Sequence, residues 1–196
     1  MPEENDRAAH DEPFLMSIRD VHALPQGGVA LLGRIEHGSV EEGDDVEIVG
    51  AGISRTVKCA GVEKDRTAQG DQGGRPVGVR LLDVAAKDIE VGHVLARPGS
   101  YTPRTTFKAN VRVRSADEAG GNVPITTDSR FDFLIRERII AGSIRLPDGT
   151  GTATPGESTD LTATLDRAIV LVEGLRFALR HGPGIVLDGT VAEVVP

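Results

Sequence analysis

Short apolar runs separated by turn-forming residues recur from residue 14 to the end of the chain, and they leave little room for long helices. Residues 107–113 alternate apolar and polar side chains, and residues 131–135 repeat the same period of two. That period places one face of an extended strand against a core. The 24 glycines and 11 prolines supply many tight turns between the runs. We therefore predict an all-β protein of short strands.

The positions of the predicted strands follow from the apolar runs. Residues 166–173 fit a helix and a strand equally well, and residues 87–90 fit one helical turn. The predicted strands occupy residues 29–35, 46–49, 55–62, 77–84, 94–96, 107–113, 131–135, 139–146, 161–165, 176–180, 185–187 and 191–195.

Charge and cysteine content narrow the class of partner and the compartment. The formal net charge is −8, which disfavours tight binding to nucleic acid or to an anionic membrane. Cys59, the one cysteine, has no partner for an internal disulfide, as is typical of a reducing cytoplasm. No run of 18 apolar residues occurs, so we expect a cytoplasmic protein without a membrane partner.

The first half of the chain carries a recognisable series of segments. Residues 13–50 read PFLMSIRDVHALPQGGVALLGRIEHGSVEEGDDVEIVG, and KCAGVE (58–63) and GHVLARPG (92–99) follow. These segments resemble the second domain of elongation factor Tu and related translational GTPases. Residues 153–182, ATPGESTDLTATLDRAIVLVEGLRFALRHG, are similar to the third domain of that family.

The resemblance implies two antiparallel closed β-barrels in tandem, each of about six strands. Two prolines and a glycine in residues 97–103 mark the boundary between them. We predict a flexible acidic tail (1–12), a barrel like the family's second domain (13–98), a linker (99–103) and a barrel like its third domain (104–196).

The nucleotide motifs of the family are missing from these 196 residues. No Gly-Lys pair is present to cradle and neutralise phosphates, and no Asn-Lys-x-Asp segment is present to bind guanine. The Asp-x-x-Gly patterns at residues 71–74 and 117–120 are of a common short type, and we interpret them as turns. We therefore expect a chain without GTPase activity, catalytic residues or a cofactor.

In the family, the second domain holds the 3′ end of aminoacyl-tRNA. The family usually has Glu, Asp, Phe, Thr, Arg and Asn at the six positions of this site. In this chain only the second and fifth of these positions, Asp20 and Arg66, keep the residue type of the family. Leu32 lacks the hydroxyl expected there, and a proline provides neither an amide side chain nor a backbone donor. Carried over by position, the binding residues are Arg19, Asp20, His22, Leu32, Arg66 and Pro76.

The second half also departs from the family's tRNA-contacting surface. Residues 122–129 replace a basic, aromatic run, and Gly184 and Glu193 stand where the family commonly has Arg and Lys. Each lost cation removes a phosphate contact and the counterion release that accompanies it. The resemblance therefore predicts an eroded aminoacyl-tRNA site that binds weakly.

Other candidate chemistry is sparse. None of the five histidines stands at a zinc-like spacing from another histidine or from Cys59, so we predict no metal site. We interpret Cys59 as a small buried hydrophobic residue rather than a nucleophile. The acidic run at residues 41–45 lacks a calcium-loop pattern and is typical of a solvated hairpin tip.

The main hypothesis is a non-catalytic, elongation factor Tu-like binding module linked to translation elongation. Its partner would be a translation component or another protein, with weak aminoacyl-tRNA binding. One alternative is a decoy, protective or regulatory protein that mimics the factor's surface towards antibiotics, toxins or other protein partners. Another is an accessory subunit that docks a GTPase domain in trans.

Overall fold

The chain forms two compact units, divided between Thr102 and Pro103. The computed structural model describes residues 12–50, 52–64, 76–119 and 123–196. Within those ranges almost all regular structure is β-strand. The predicted tail lies outside the described residues except for Glu12.

The first unit is a closed antiparallel barrel with the strand order β1-β2-β5-β4-β3-β6. Strand β6 pairs with both β1 and β3, which closes the barrel. The strands are β1 (Leu15–Ala23), β2 (Val29–His37), β3 (Asp45–Gly50), β4 (Ile53–Lys64), β5 (Pro76–Leu81) and β6 (Val94–Ala96).

Aliphatic side chains fill the first barrel, as expected for a sequence with few aromatic residues. Alternate residues of each strand point inward, so Leu31 and Val79 are fully buried while their neighbour Leu32 is half exposed. Cys59 is also buried, as we predicted, and its thiol donates to the Gly61 carbonyl at 3.6 Å. The largest fully buried side chains of this core belong to Met16, Ile18, Leu31, Ile48, Leu81 and Leu95.

The second unit is also a closed antiparallel barrel, with the order β10-β12-β7-β14-β13-β9. Two further short strands pair with each other outside it, and one helical turn, α1 (Ala116–Ala119), follows β7. The strands are β7 (Arg104–Val113), β8 (Ile125–Thr126), β9 (Arg130–Ile135), β10 (Arg138–Arg145), β11 (Thr152–Ala153), β12 (Ser158–Ile169), β13 (Arg176–His181) and β14 (Gly184–Val194).

Three phenylalanines organise the core of the second barrel. The Phe107 ring packs edge-on against Phe177, with centroids 5.3 Å apart, and against Phe133 at 6.2 Å. Edge-to-face contacts of this kind add to the stabilisation from apolar burial. Phe177 pairs across the sheet with Gly189, and its ring occupies the space that a side chain at Gly189 would need.

The expected fold class is confirmed: both units are closed six-stranded antiparallel barrels. The predicted strand at residues 94–96 is reproduced to the residue, and others begin or end a few residues away. The strand at residues 77–84 stops at Leu81, and the predicted helical turn at 87–90 is a 3-10 turn at Ala86–Asp88. Among the described residues, no helix has the length and apolar character needed to cross a membrane.

Three segments correct or settle the sequence-based expectations. The apolar runs at 185–187 and 191–195 are one strand, because β13 and β7 hold β14 on both sides. Residues 166–173, open between helix and strand, continue β12 as far as Ile169. The pattern at 117–120 was interpreted as a turn, but its described residues belong to the helical turn α1.

The packing of Phe177 over Gly189 generates a stability prediction. In a Gly189→Ala variant the new Cβ would lie 2.7 Å from Phe177 Cε1, closer than real carbon atoms approach. Because Phe177 is held by Phe107 and Phe133, the strain should destabilise the second barrel by about 1–3 kcal/mol. Native-state hydrogen exchange of the amides of β7 and β13 measures this loss barrel by barrel.

Gly151→Ala is the matched control, because nothing lies within 4 Å of the added Cβ. Its free energy of unfolding should stay within about 0.5 kcal/mol of the parent value. Equal exchange rates in the Gly189→Ala and Gly151→Ala variants would show that the aromatic cluster yields easily, contrary to this account.

Candidate functional site

One row of residues crosses the outer face of the first barrel over four neighbouring strands. The Cα partners run from Asp20 on β1 to Leu32 on β2, then to Gly78 on β5 and Glu63 on β4. Leu32 is 44% exposed, which is high for a leucine in a strand. Directly opposed residues in antiparallel strands have their side chains in contact distance. The row therefore forms a continuous surface of mixed polarity.

Gly78 leaves a shallow depression in this row. A Cβ placed on it would lie 3.5 Å from Glu63 Cβ and 3.6 Å from Leu32 Cδ2, which are ordinary contact distances. The space over the glycine is therefore bounded by an apolar wall on one side and an acidic residue on the other. A small flat group could rest there against Leu32 with a carboxylate nearby.

Two ion pairs flank the depression. His22 Nε2 lies 3.0 Å from Asp20 Oδ2, and both side chains are more than half exposed. The backbone amide of Val21 also donates to Asp20 Oδ1 at 2.8 Å. On the far side, Arg80 Nε lies 3.7 Å from Glu63 Oε1. Among the described residues of the row, the carboxylates of Asp20 and Glu63 outnumber the one permanent cation, Arg80, so these residues give little attraction for phosphate.

The structure brings four of the six predicted binding residues to this one face. Asp20 and His22 are on β1, and Leu32 on β2 lies opposite Asp20. Pro76 is on β5, two residues before Gly78. Arg19 lies nearby as the extra residue of a β-bulge between Ile18 and Asp20. Arg66 lies outside the described residues.

Sequence reasoning missed three residues of this surface: Gly78, Glu63 and Arg80. The signal was present in the alternation of PVGVRL, which puts residues 76, 78 and 80 on one face of a strand. Placing residue 63 beside them needs the register of β4 on β5, which is offset by a bulge between Cys59 and Gly61. Alternation alone does not give that offset.

The second barrel presents a different surface around α1. Ser115 and Glu118 form a reciprocal cap: the Ser115 amide donates to Glu118 Oε2 at 2.9 Å, and the Glu118 amide donates to Ser115 Oγ at 3.4 Å. Arg112 Nη2 donates to the same carboxylate at 3.2 Å. These contacts lower the pKa of Glu118 to about 2, first through the Ser115 amide and next through Arg112.

The two positions at which the family's cations are replaced have definite surroundings. A Cβ on Gly184 would lie 2.6 Å from the Ala119 carbonyl oxygen, so α1 closes over the place where a side chain would start. Glu193 forms an ion pair with Lys108 at 2.8 Å. Neither position offers a free cation to a phosphate.

An open groove of about 450 Å³ lies on the second barrel between β7, β12 and the end of β10. Its polar groups largely satisfy one another, since Lys108 pairs with Glu193 and Asn110 donates to Asp160 at 2.6 Å. Arg145 lines the same groove. The groove resembles a solvated sheet surface more than a ligand cavity, because few polar groups are left to orient a ligand.

The described residues form no cluster of side chains that is typical of a catalytic or metal-binding site. Burial raises the pKa of the Cys59 thiol, which disfavours the reactive thiolate. The exposed Asp20–His22 pair has no hydroxyl or thiol among its described hydrogen-bond partners. Within the described ranges, no group of three or more His, Cys, Asp or Glu side chains could hold a metal ion.

Comparison with known families identifies the second barrel. The model of the elongation factor Tu C-terminal domain matches residues 100–195, which includes every strand of this barrel. Residues 100–195, and with them the second barrel, are therefore similar to the C-terminal domain of elongation factor Tu. The resemblance seen in residues 153–182 is confirmed by this match.

The cap on α1 generates a pH prediction. In the folded chain the Glu118 pKa is about 2, against an ordinary value of 4.5. A depressed carboxyl pKa favours the folded state, and this contribution is complete above about pH 4.5 and disappears as the pH falls through about 2. An NMR titration of the Glu118 side-chain carboxyl carbon should therefore give a midpoint near 2.

Arg112→Ala and Ser115→Ala should each move that midpoint upward, because each removes a donor to the carboxylate. The parent chain, titrated under the same conditions, is the reference for both variants. A Glu118 midpoint close to 4.5 in the parent chain would contradict the capping contacts described here.

Proposed function

We propose that this chain, which carries the C-terminal domain of the elongation factor Tu family, is a non-catalytic binding module that works in translation elongation. Its first barrel would hold the 3′ end of aminoacyl-tRNA weakly, at the row of Asp20, Leu32, Gly78 and Glu63. The observation that carries the proposal is this row, where an exposed leucine and an acidic residue border an open glycine.

The chemistry of the row suits an aminoacylated adenosine. Unstacked bases are held in proteins by flat apolar or aromatic contacts, and Leu32 and the His22 ring provide such surfaces. The α-ammonium group of an aminoacyl ester pairs favourably with a carboxylate, and Asp20 and Glu63 are both exposed. Gly78 leaves the backbone of β5 uncovered by a side chain of its own between Leu32 and Glu63.

Weak affinity follows from the charges. Salt-dependent affinity for nucleic acid comes from cations that neutralise phosphates. Around the depression Arg80 lies beside Glu63, and on the second barrel Lys108 is neutralised by Glu193. Gly184 has no room for a side chain under the Ala119 carbonyl. We therefore expect affinity no better than the range of roughly 10⁻⁴–10⁻⁶ M typical of non-specific binding.

A second candidate function is a regulatory or protective protein that mimics the elongation factor surface towards antibiotics, toxins or other proteins. The observation in its favour is the exposed Leu32, which offers an apolar contact where the family offers a hydroxyl. Thermal-shift measurements with antibiotics that bind elongation factor Tu test it. Stabilisation that the Leu32→Glu variant loses would support this function over the first. A GTPase domain supplied in trans is a further partner to include in these measurements.

The first proposal makes a quantitative prediction for Leu32→Glu. A third carboxylate beside Asp20 and Glu63 should repel the phosphates of the tRNA and remove the apolar wall. We expect affinity for aminoacyl-tRNA to fall by about tenfold or more, which corresponds to about 1.4 kcal/mol. Fluorescence anisotropy at about 50 mM salt measures it, with deacylated tRNA as the comparison ligand.

Leu82→Glu is the matched control, because Leu82 is also an exposed leucine of the first barrel, at 56%, but lies beyond the end of β5. It introduces the same charge and should change the affinity less than twofold, roughly the scatter of such measurements. Equal losses in both variants would indicate general repulsion. No tRNA binding at low salt, together with no translation component recovered in affinity capture, would remove the proposal.

A further inference from the structure

The outer face of the second barrel carries an apolar strip over three neighbouring strands. Ile139 on β10 is the Cα partner of Leu134 on β9, which is the partner of Ala178 on β13. Ile139 is 55% exposed, and the other two are partly exposed. All three point away from the phenylalanine core, because their strand neighbours Phe133 and Phe177 point inward. This apolar strip is therefore presented to the surroundings.

One cation borders the apolar strip. Arg176 lies two residues before Ala178 on β13, and alternation puts both residues on the outer face. Arg176 is exposed and makes no hydrogen bond or ion pair with any described residue. Arg136 follows β9 in a turn, and its guanidinium donates to the Val170 carbonyl at 2.6 Å. A carboxylate placed beside Arg176 would therefore accept a charge-assisted hydrogen bond.

On the opposite side of the apolar strip, the charges of Arg180 and Asp132 are already paired. Arg180 Nη2 donates to Asp132 Oδ2 at 2.8 Å, so each neutralises the other. Five other cations of this barrel have carboxylate partners, whereas Arg176 has none among the described residues. The paired cations are Lys108, Arg112, Arg114, Arg130 and Arg180.

We propose that the apolar strip and Arg176 form a docking surface for a protein partner that presents an apolar side chain flanked by carboxylates. Protein interfaces combine an apolar centre with arginine, which matches Ile139 beside Arg176. The proposal concerns only the second barrel and does not depend on the tRNA site of the first.

Two other occupants fit less well. A nucleic acid would meet no exposed aromatic ring at the strip and would face Asp132, in a chain with net charge −8. A second copy docked through the same face would offer Asp132, which lies two residues before Leu134 on β9 and is already paired with Arg180. Charge complementarity therefore favours an acidic protein partner.

The test uses the full chain and a synthetic peptide probe with two leucines flanked on each side by two glutamates. A second peptide carries lysines in place of the glutamates, and a third carries serines in place of the leucines. Titration into the ¹⁵N-labelled chain should move amide signals of β9, β10 and β13 with the first peptide alone. This method detects even weak, millimolar binding, and the same spectra report whether each variant is folded.

Ile139→Ser and Arg176→Glu should each weaken binding of the acidic peptide by about tenfold, as expected for residues at the centre of an interface. Arg145→Glu is the matched control. Arg145 is exposed, makes no described hydrogen bond or ion pair, and lies at the other end of β10 from Ile139. It should change the affinity less than about twofold.

Several outcomes would overturn the proposal. An equal loss in Arg145→Glu and Arg176→Glu would mean that attraction is diffuse rather than local. Binding of the lysine peptide, shifts confined to the first barrel, or no saturable binding would each remove an acidic partner at this surface. Sedimentation that shows self-association abolished by Ile139→Ser would assign the strip to a second copy instead. Unchanged tRNA binding in Leu32→Glu would count against the proposed function alone.

Discussion

Closure of each six-stranded barrel is the constraint on which the rest of the structure depends. Every barrel strand has a hydrogen-bonded neighbour on both sides, because β6 returns to β1 and β9 returns to β10. A closed barrel has no free edge to which a partner strand could add. Its interior is filled with side chains rather than open to a ligand. Recognition must therefore use outward-facing side chains, which antiparallel register arranges in rows across neighbouring strands.

A glycine leaves a gap in one of these rows only where no neighbouring atom fills the space of its missing side chain. Gly189 is covered by the Phe177 ring, Gly184 lies under the Ala119 carbonyl, and Gly78 has only ordinary contacts at its margin. The same residue type thus produces a packed core, a closed backbone contact and an open depression. A glycine where the family has a larger residue therefore does not by itself indicate that a binding site is lost or that a cavity is formed.

Sequence alone predicted the fold class and most of the strands, because alternation and family resemblance are local signals, but it did not predict β1, β8 and β11. It could not assemble the Asp20–Leu32–Gly78–Glu63 row, since two bulges shift the register, one of them at Arg19. A one-residue shift exchanges the inner and outer faces of a strand.

The helical turn α1 was missed for a related reason. Its cap needs Arg112 and Ser115 to meet Glu118, and the contribution of Arg112 depends on where β7 ends. The single strand β14 depends in turn on its pairing with β13 on one side and β7 on the other. Contacts of this kind lie between strands, and no local pattern encodes them.

The two proposed surfaces differ in whether their charged side chains already have partners. An anionic ligand at the first barrel must compete with Glu63 for Arg80 and with Asp20 for His22. Exposed pairs of this type are worth only about 0.2–1 kcal/mol, so they are displaced at little cost and leave little net attraction. At the apolar strip no described carboxylate pairs with Arg176, and burial against the strip would strengthen a new ion pair by excluding water. A protein partner at the second barrel can therefore bind more tightly than a nucleic acid at the first, although the whole chain is acidic.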